Sequence, residues 1–527
     1  MMPWSRRATR FSLEPGVLSL LILSIFTVNL SWQQSSAQKY TASRRLPIPA
    51  DSIRFIAFAD ADPVIKAFSA DLPEELVHAV AAHDESEWDK YVRGKDREIR
   101  ERLRRGDLDT LANLLLFGTS YTVATPLTAE LLKNIHAQTA RTASSDLGSR
   151  AVLRRLDDLT AGVARPRTNE RLKYFHDLLA GQQYRFETPE QLFKVKEFLG
   201  SNLLRMIHED TAYAAALAEA RRVQKNEFQK RSQVFAQRGI SLDTSLFPNY
   251  AIEKALLHAK QQGLLPTCVT KVGIIGPGLD VVNKDEGLDF YPEQTIQPFL
   301  LADSLVRLGL ADPQQLQITT FDISRLVNQH IAGIRARAEH GSPYTVQLPI
   351  RSDIPWTPQA LAYWKHAGLT LGRTTVPLKS SRPAPLKYKA VTFRPSQALR
   401  IQPVDLDVVY QRAEVPESER WDLIIATNMF VYYGGFDQAL AMSNLAPMLR
   451  TSGVLLTNDV LPERPDLALR AVGFSETPYS FRPNGLGILS LKSGTRYIFL
   501  DSSLSRFPFL VSHSGPFVPK PLVCKAY

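Results

Sequence analysis

Cysteine is nearly missing from this chain: Cys268 and Cys524 are the only two in 527 residues. Two thiols can form one bridge in an oxidising compartment, but they cannot staple a small disulfide scaffold or build a cysteine-rich metal site. Histidine is sparse as well. His78 and His83 are five apart, and His208-Glu209 has no second histidine four residues after the first, so neither sets two ligands on one helical face and no metal is expected. Neither the G-x-S-x-G nucleophile elbow nor the G-x-x-x-x-G-K-[ST] phosphate loop occurs, which argues against serine hydrolases and nucleoside triphosphatases. Acid is not in excess either. The formal charge is +10, but Arg6, Arg7, Arg10, Lys39, Arg44 and Arg45 against Glu14 supply five of those charges within the first fifty residues. The basic balance is therefore not a nucleic-acid footprint by itself, and no nucleic-acid partner is expected.

At that N-terminus, three arginines precede an uncharged stretch from Pro15 to Gln38 whose apolar part is Val17 to Leu30, and Ser35-Ser36-Ala37 offers small residues for cleavage. Residues 1–37 read as an export signal. An uncleaved membrane anchor is the competing reading, weakened by Asn29, Ser31, Gln33 and Gln34 at the far end of the run. The expected location is accordingly exported, or attached to the membrane through this segment. Thr9 and Arg10 stand where a twin-arginine signal wants apolar residues, so that resemblance is poor.

Residues 38–70 read as a linker, and 71–265 as an α-helical domain. Pro73-Glu74-Glu75 behind Asp71 and Thr188-Pro189-Glu190-Gln191 are helix starts; Trp88 to Leu103 is charge-laced and amphipathic; one long helix is expected over Ser201 to Gln237. Arg105-Gly106-Asp107 looks like an adhesion tripeptide, but a helix ending in glycine and restarting at a capping aspartate explains it without a receptor.

The pattern changes at Val272. VGIIGPGLD runs an apolar strand into Gly276-Pro277-Gly278, and LQITTFDIS ends a second apolar strand on Asp322. In a parallel sheet the first strand must end in a turn that a ligand can approach closely, and an acid at the next strand tip can accept hydrogen bonds from two ribose hydroxyls. A helix over Thr295 to Leu308 and another through His330 and Arg337 follow the two strands. Residues 340–397, with eight prolines, read as a loop or lid rather than core, carrying a short aromatic helix over Trp356 to His366. The sheet resumes with Ala398 to Leu406, then WDLIIAT at Trp421 to Thr427, a helix over Phe436 to Leu449, and a strand over Val454 to Thr457. Gly487 to Lys492 and Arg496 to Leu500 are expected to pair as a hairpin through Ser493-Gly494-Thr495. The expected fold class is α/β: a doubly wound Rossmann-like sheet over 266–505 with a terminal antiparallel hairpin, preceded by the helical domain and followed by a tail, 506–527.

Over about Thr267 to Leu500 the sequence resembles the class I S-adenosylmethionine-dependent methyltransferases. WDLIIATNMFVYYGGFDQALAMSNLAPMLRTSGVLLTND in particular is similar to the matching segment of the chemotaxis-receptor glutamate methyltransferases: an aspartate-leucine strand, an asparagine, an aromatic pair, a helix and a glycine turn in that order. The resemblance implies S-adenosylmethionine as cofactor. Gly276 and Gly278 would approach its methionine part, Asp322 would hold the ribose, Asp405 with Leu406 would lie near the adenine, and Asn428 beside the point of methyl transfer. Tyr432 and Tyr433 would line the site of an acceptor that the sequence does not name. Ile274 and Asp280 stand where family members commonly carry an acid and a third glycine.

Two other readings remain open: an exported, non-catalytic binding or interaction module that keeps the methyltransferase fold, and a dehydrogenase. The first uses the leader, because the cofactor is a cytosolic metabolite; the second uses the glycine turn but has no place for NMFVYY or the terminal hairpin.

Overall fold

The computed structural model describes residues 48–82, 84–118, 123–127, 146–222, 247–283, 288–350, 356–377, 387–459, 461, 469–478, 481–483, 489–491 and 495–501. The expected leader and C-terminal tail lie outside them, as does the far half of the helix expected over Ser201 to Gln237. Met1–Pro49 forms one unit and Ala50–Tyr527 another, and every element named below belongs to the second. None of its described helices is long and apolar enough to cross a membrane.

Along the first half run α1 (Phe58–Ala67), α2 (Glu74–Ala81), α3 (Glu85–Phe117), α4 (Asp146–Ala164), α5 (Glu170–Gly181), α6 (Pro189–Arg222) and α7 (Phe247–Gln261). Asp84 caps α3 by accepting from the amides of Ser86 and Glu87. The expected break at Gly106 does not occur. Gly106 is buried inside a continuous 33-residue helix. A short β1 (Ile53–Phe55) precedes the helices, and Trp88 of α3 donates its indole N–H to Ile56 O at 2.9 Å.

The second half opens with β2 (Lys271–Ile275), then a hairpin of β3 (Asp280–Asn283) and β4 (Leu288–Gln294), α8 (Gln297–Arg307), β5 (Gln317–Asp322) and α9 (Arg325–Glu339). The residues after 340 correct the lid expectation. Strands β6 (Tyr344–Ile350), β7 (Gly372–Thr375) and β8 (Lys387–Phe393) make a three-stranded antiparallel sheet in the order β6-β8-β7, with α10 (Pro358–His366) beside it. Tyr344, Val346, Leu348, Trp356, Tyr363, Trp364, Val391 and Phe393 are all buried in the main apolar cluster. Pro349 is tolerated because β6 is an edge strand. The short aromatic helix is present, as core and not as a cover.

The chain continues through α11 (Pro395–Ala398), β9 (Ile401–Asp405), β10 (Gln411–Ala413), β11 (Trp421–Ala426), α12 (Gly435–Met448), β12 (Leu449–Thr457) and β13 (Arg470–Thr477), then β14 (Phe481–Pro483), β15 (Leu489–Leu491) and β16 (Thr495–Asp501). Among the described residues the large sheet runs β13-β16-β12-β11-β2-β5-β9. The five strands from β12 to β9 are parallel, and β16 is antiparallel to both its neighbours. This is a Rossmann-like α/β fold. The expected hairpin partner of β16 is replaced: β15 pairs with β14, and β16 enters the sheet between β12 and β13. Its alternation does not distinguish a local partner from a distant one.

β2 and β11 are buried along their whole length, as central parallel strands covered on both faces must be. Asp422 holds them together at their entry. Its buried carboxylate accepts from the amides of Thr270 (2.7 Å) and Lys271 (2.9 Å) and the Thr270 hydroxyl (2.9 Å), and pairs with Arg450. The helical half shares this core: Leu111 to Phe117 of α3 and Tyr250 to Ala259 of α7 belong to one apolar cluster with Ile274, Leu305 and Leu456. Antiparallel pairing of β1 with β10 ties the two halves again. Cys268 is disulfide-bonded; Cys524 lies outside the described residues.

Candidate functional site

Strand order reverses about β2: β5 and β9 lie to one side and β11 and β12 to the other. Ligands of open parallel sheets bind beyond the carboxyl ends of the strands at such a point, and the residues marked in the sequence lie at those ends. Gly276 (φ +62°) and Gly278 (φ +63°) both take the left-handed backbone that glycine adopts without strain. The Gly276 amide donates to Phe321 O at 2.8 Å, turning the loop toward β5. A side chain added at Gly276 would meet only Met429, at 3.8 Å, so its value here is conformational rather than spatial.

Asp322 ends β5, 8% exposed. One carboxylate oxygen accepts the Ser324 amide at 2.8 Å, and the Gly278 amide lies close enough to favour the ionised form. Ser324 itself caps α9 through Val327 N, so Asp322 shapes the entry to that helix while facing the glycine loop. Burial, and then the nearby Asp405 charge, push the Asp322 carboxyl up to about 7 from its ordinary 3.8, against the two amides that pull it down. Leu406 is 2% exposed and its amide donates to Asp322 O at 3.4 Å. Asp405 ends β9 beside it, its side chain 58% exposed.

Across the reversal, Asn428 follows β11 with φ +55°, an uncommon backbone for a residue with a side chain. It is held there by Asn458: the Asn428 amide donates to Asn458 Oδ1 at 2.8 Å, and Asn458 Nδ2 to Asn428 Oδ1 at 2.7 Å. The structure brings the glycine loop, Asp322, Asp405, Leu406 and Asn428 to one edge. The tyrosines part company. Tyr432 is half-buried and accepts through its carbonyl, whereas Tyr433 is 5% exposed and its hydroxyl is pushed well above the ordinary 10 by burial and the Asp407 charge.

Four residues that no motif marked complete this edge. Gln297, the first residue of α8, donates from Nε2 to Thr427 Oγ1 at 3.2 Å, while its Oε1 is buried with no partner among the described residues. Three more come from α3. Arg100 bonds Asp405 Oδ1 at 2.9 Å and Ile323 O at 3.4 Å. Arg102 donates through both Nη atoms to Tyr432 O at 3.1 Å. Asp107, whose Oδ1 is buried without a partner among the described residues, is pushed up to about 7 by burial and by the Asp322 charge. Arg100 is 223 residues from Ile323 and Arg102 is 330 from Tyr432, and no local pattern records meetings at such separations.

No family model matches this chain, and no curated protein matches it. Among solved structures, it is similar to the magnesium protoporphyrin IX methyltransferase ChlM of Synechocystis PCC 6803 with bound SAM, at 11% identity over 56% of this chain and 96% of that one, TM-score 0.22. It is also similar to the CurJ carbon methyltransferase, at 13% identity over 85% and 99%, TM-score 0.22. The DszA carbon methyltransferase gives 12% identity over 87% and 99%, TM-score 0.21. Scores of this size carry no argument about the present chain; the strand order and the tip residues do.

An adenosyl cofactor can be tested against those residues. An acid on the strand beside the glycine turn, apolar Leu406 next to it and left-handed glycines at the turn fit it in kind and in place. Asp107 Oδ1 and Gln297 Oε1 are buried acceptors that a polar ligand could satisfy.

Proposed function

We propose that this protein is an S-adenosylmethionine-dependent methyltransferase acting on a still unidentified acceptor at the carboxyl edge of the large sheet. The observation that carries the reading is the convergence, at one strand-order reversal, of a left-handed glycine turn, a buried tip acid and the next strand's acid and leucine. An antiparallel strand set inside the far end of the sheet departs from the all-parallel dinucleotide-binding order and disfavours a dehydrogenase.

Asp322 would hold the ribose hydroxyls, Leu406 would wall the adenine with Asp405 at its rim, and the Gly276–Gly278 loop would leave room for the amino-acid end. When bound, the cofactor supplies an electrophilic methyl group. The chain's contribution is orientation: in-line transfer to a nucleophilic acceptor asks chiefly for positioning, and Asn428, fixed by Asn458, is the polar group at the tip of β11 that would set the acceptor's approach.

Calorimetric titration with S-adenosylhomocysteine tests the reading. At pH 8, where the Asp322 carboxyl is ionised, Asp322→Ala should weaken binding by one to two orders of magnitude, since charge-assisted hydrogen bonds of this type contribute roughly 1.5–3 kcal/mol. Equal binding by wild type and variant would move the site elsewhere.

A further inference from the structure

We infer that Gln297 is a specificity-determining residue of this edge: its buried amide oxygen selects a ligand that carries an ammonium group. Gln297 is the first residue of α8, 3% exposed, and it spans the crevice where the strand order reverses. On the β2 side, the residues leading into α8 are pinned to the glycine loop: Thr295 Oγ1 donates to Gly278 O at 3.4 Å, and the Ile296 amide to Asp280 Oδ2 at 2.9 Å. On the β11 side, Gln297 Nε2 donates to Thr427 Oγ1 at 3.2 Å. Its Oε1 is left without a partner among the described residues. Over the turn itself there is room, since a Cβ added at Gly276 would meet nothing nearer than Met429 at 3.8 Å. Buried side-chain oxygens in folded proteins are mostly hydrogen-bonded, so an unmet one beside a ligand crevice calls for a donor from outside the chain.

The neighbours narrow the chemistry of that donor. An amide oxygen has lone pairs and no hydrogen, so it takes an N–H or O–H and opposes a carboxylate or a phosphate. The groups fixed to either side of Gln297, namely Gly278 O, the Asp280 carboxyl and Thr427 Oγ1, are oxygens as well. Such a lining favours a group with several hydrogens and a positive charge over a lone hydroxyl, because a charged donor makes a hydrogen bond roughly twice as strong as a neutral one. A dinucleotide would bring its pyrophosphate to the same turn, where these oxygens would repel it. The inference rests on the methyltransferase reading at one point: the part of the ligand beside the glycine turn is the amino-acid end of an adenosyl thioether, which bears a primary ammonium. The unmet oxygen and its surroundings do not depend on that reading.

The test uses two variants of the full chain: Gln297→Met, which keeps the length of the side chain and removes the amide, and Gln297→Glu, which keeps an acceptor and adds a negative charge. Each is titrated calorimetrically with S-adenosylhomocysteine and with 5′-methylthioadenosine, the adenosyl thioether that lacks the amino-acid end, and its thermal midpoint is measured without ligand. Gln297→Met is expected to weaken S-adenosylhomocysteine about tenfold, the loss of one charge-assisted hydrogen bond, and to leave 5′-methylthioadenosine unchanged. Gln297→Glu is expected to bind S-adenosylhomocysteine at least as tightly as wild type. Equal weakening of both ligands by Gln297→Met would overturn the inference, because the side chain would then only shape the crevice. So would unchanged binding of both with a lower midpoint, which is the signature of an ordered water on Oε1. Weaker binding of S-adenosylhomocysteine by a folded Gln297→Glu would also overturn it, since the group recognised would be the carboxylate; should that variant not fold, Gln297→Met decides alone. Wild type binding 5′-methylthioadenosine but not S-adenosylhomocysteine would refute the ammonium selection and keep the adenosyl site, whereas binding of neither would refute the methyltransferase reading and the inference with it.

Discussion

Replacing Asp322 by asparagine separates what this carboxyl does for a ligand from what it does to the fold. In the folded chain it keeps its proton up to about pH 7, whereas the unfolded chain releases it near 3.8. Between those values the folded state binds more protons, so the stability tied to this group is complete below about 3.8 and is lost as pH rises through 7. At about 1.4 kcal/mol per unit, the loss reaches roughly 4 kcal/mol by pH 8. Asparagine cannot ionise and removes the slope. It still accepts from Ser324 N, but it sets an amide group in place of the second oxygen, near the Gly278 amide that favours the carboxylate, a mismatch of about 1–2 kcal/mol. Asp322→Asn should therefore be about 1 kcal/mol less stable than wild type at pH 4, equal near pH 5, and about 3 kcal/mol more stable at pH 8. Asp107 and Asp405 are the charges facing this group, and the variant should also let Asp107 ionise more readily. Urea denaturation of both proteins at pH 4, 6 and 8 measures the crossing. A difference between them that is constant across that range would refute the reasoning, because it would mean that Asp322 is ionised throughout.

Asp422→Ala should cost at least about 3 kcal/mol, because it strands two backbone amides, a hydroxyl and the Arg450 guanidinium in or beside the core; its midpoint in urea should fall while ligand affinity, at the opposite edge of the sheet, stays as it was. Limited proteolysis should spare Tyr344–Ile350 and Lys387–Phe393, whose described side chains are mostly buried, and early cleavage inside either strand would show the inserted sheet to be loosely attached. Intact-mass measurement on protein from the native cell should find a chain beginning near Gln38; retention of Met1 or Met2 in a membrane fraction would identify an anchor.

The central sheet is legible in the sequence because its chemistry is local. Past Lys271 and Trp421-Asp422, β2 and β11 are apolar runs, as strands buried on both faces are, and Asp322 and Asp405 end the next two strands. The inserted sheet escapes a sequence reading because eight prolines outweigh a period-two pattern, with Tyr344, Val346 and Leu348 inward and Thr345 outward. Proline count speaks for loops only where strands are central. At the site, residue type and spacing mark Gly276, Gly278 and Asp322. They do not mark Arg100, Arg102 and Asp107, since arginines and aspartates on a charge-laced helix look like a solvated face until the helix is seen to lie against something. Gly94 and Gly106 are the only hints, since a glycine inside a long helical pattern costs about 1 kcal/mol relative to alanine.

The place of Thr495–Asp501 between β12 and β13 fixes an order of events during biogenesis. The edge of β12 has no hydrogen-bonding partner on that side until nearly five hundred residues have been synthesised, and β13 cannot join the sheet before then. A chain emerging N-terminus first would hold an open, hydrophobic strand edge throughout, a surface prone to pairing with another copy. Completion waits on β16. A truncation before Thr495 should therefore yield aggregation rather than a smaller folded protein.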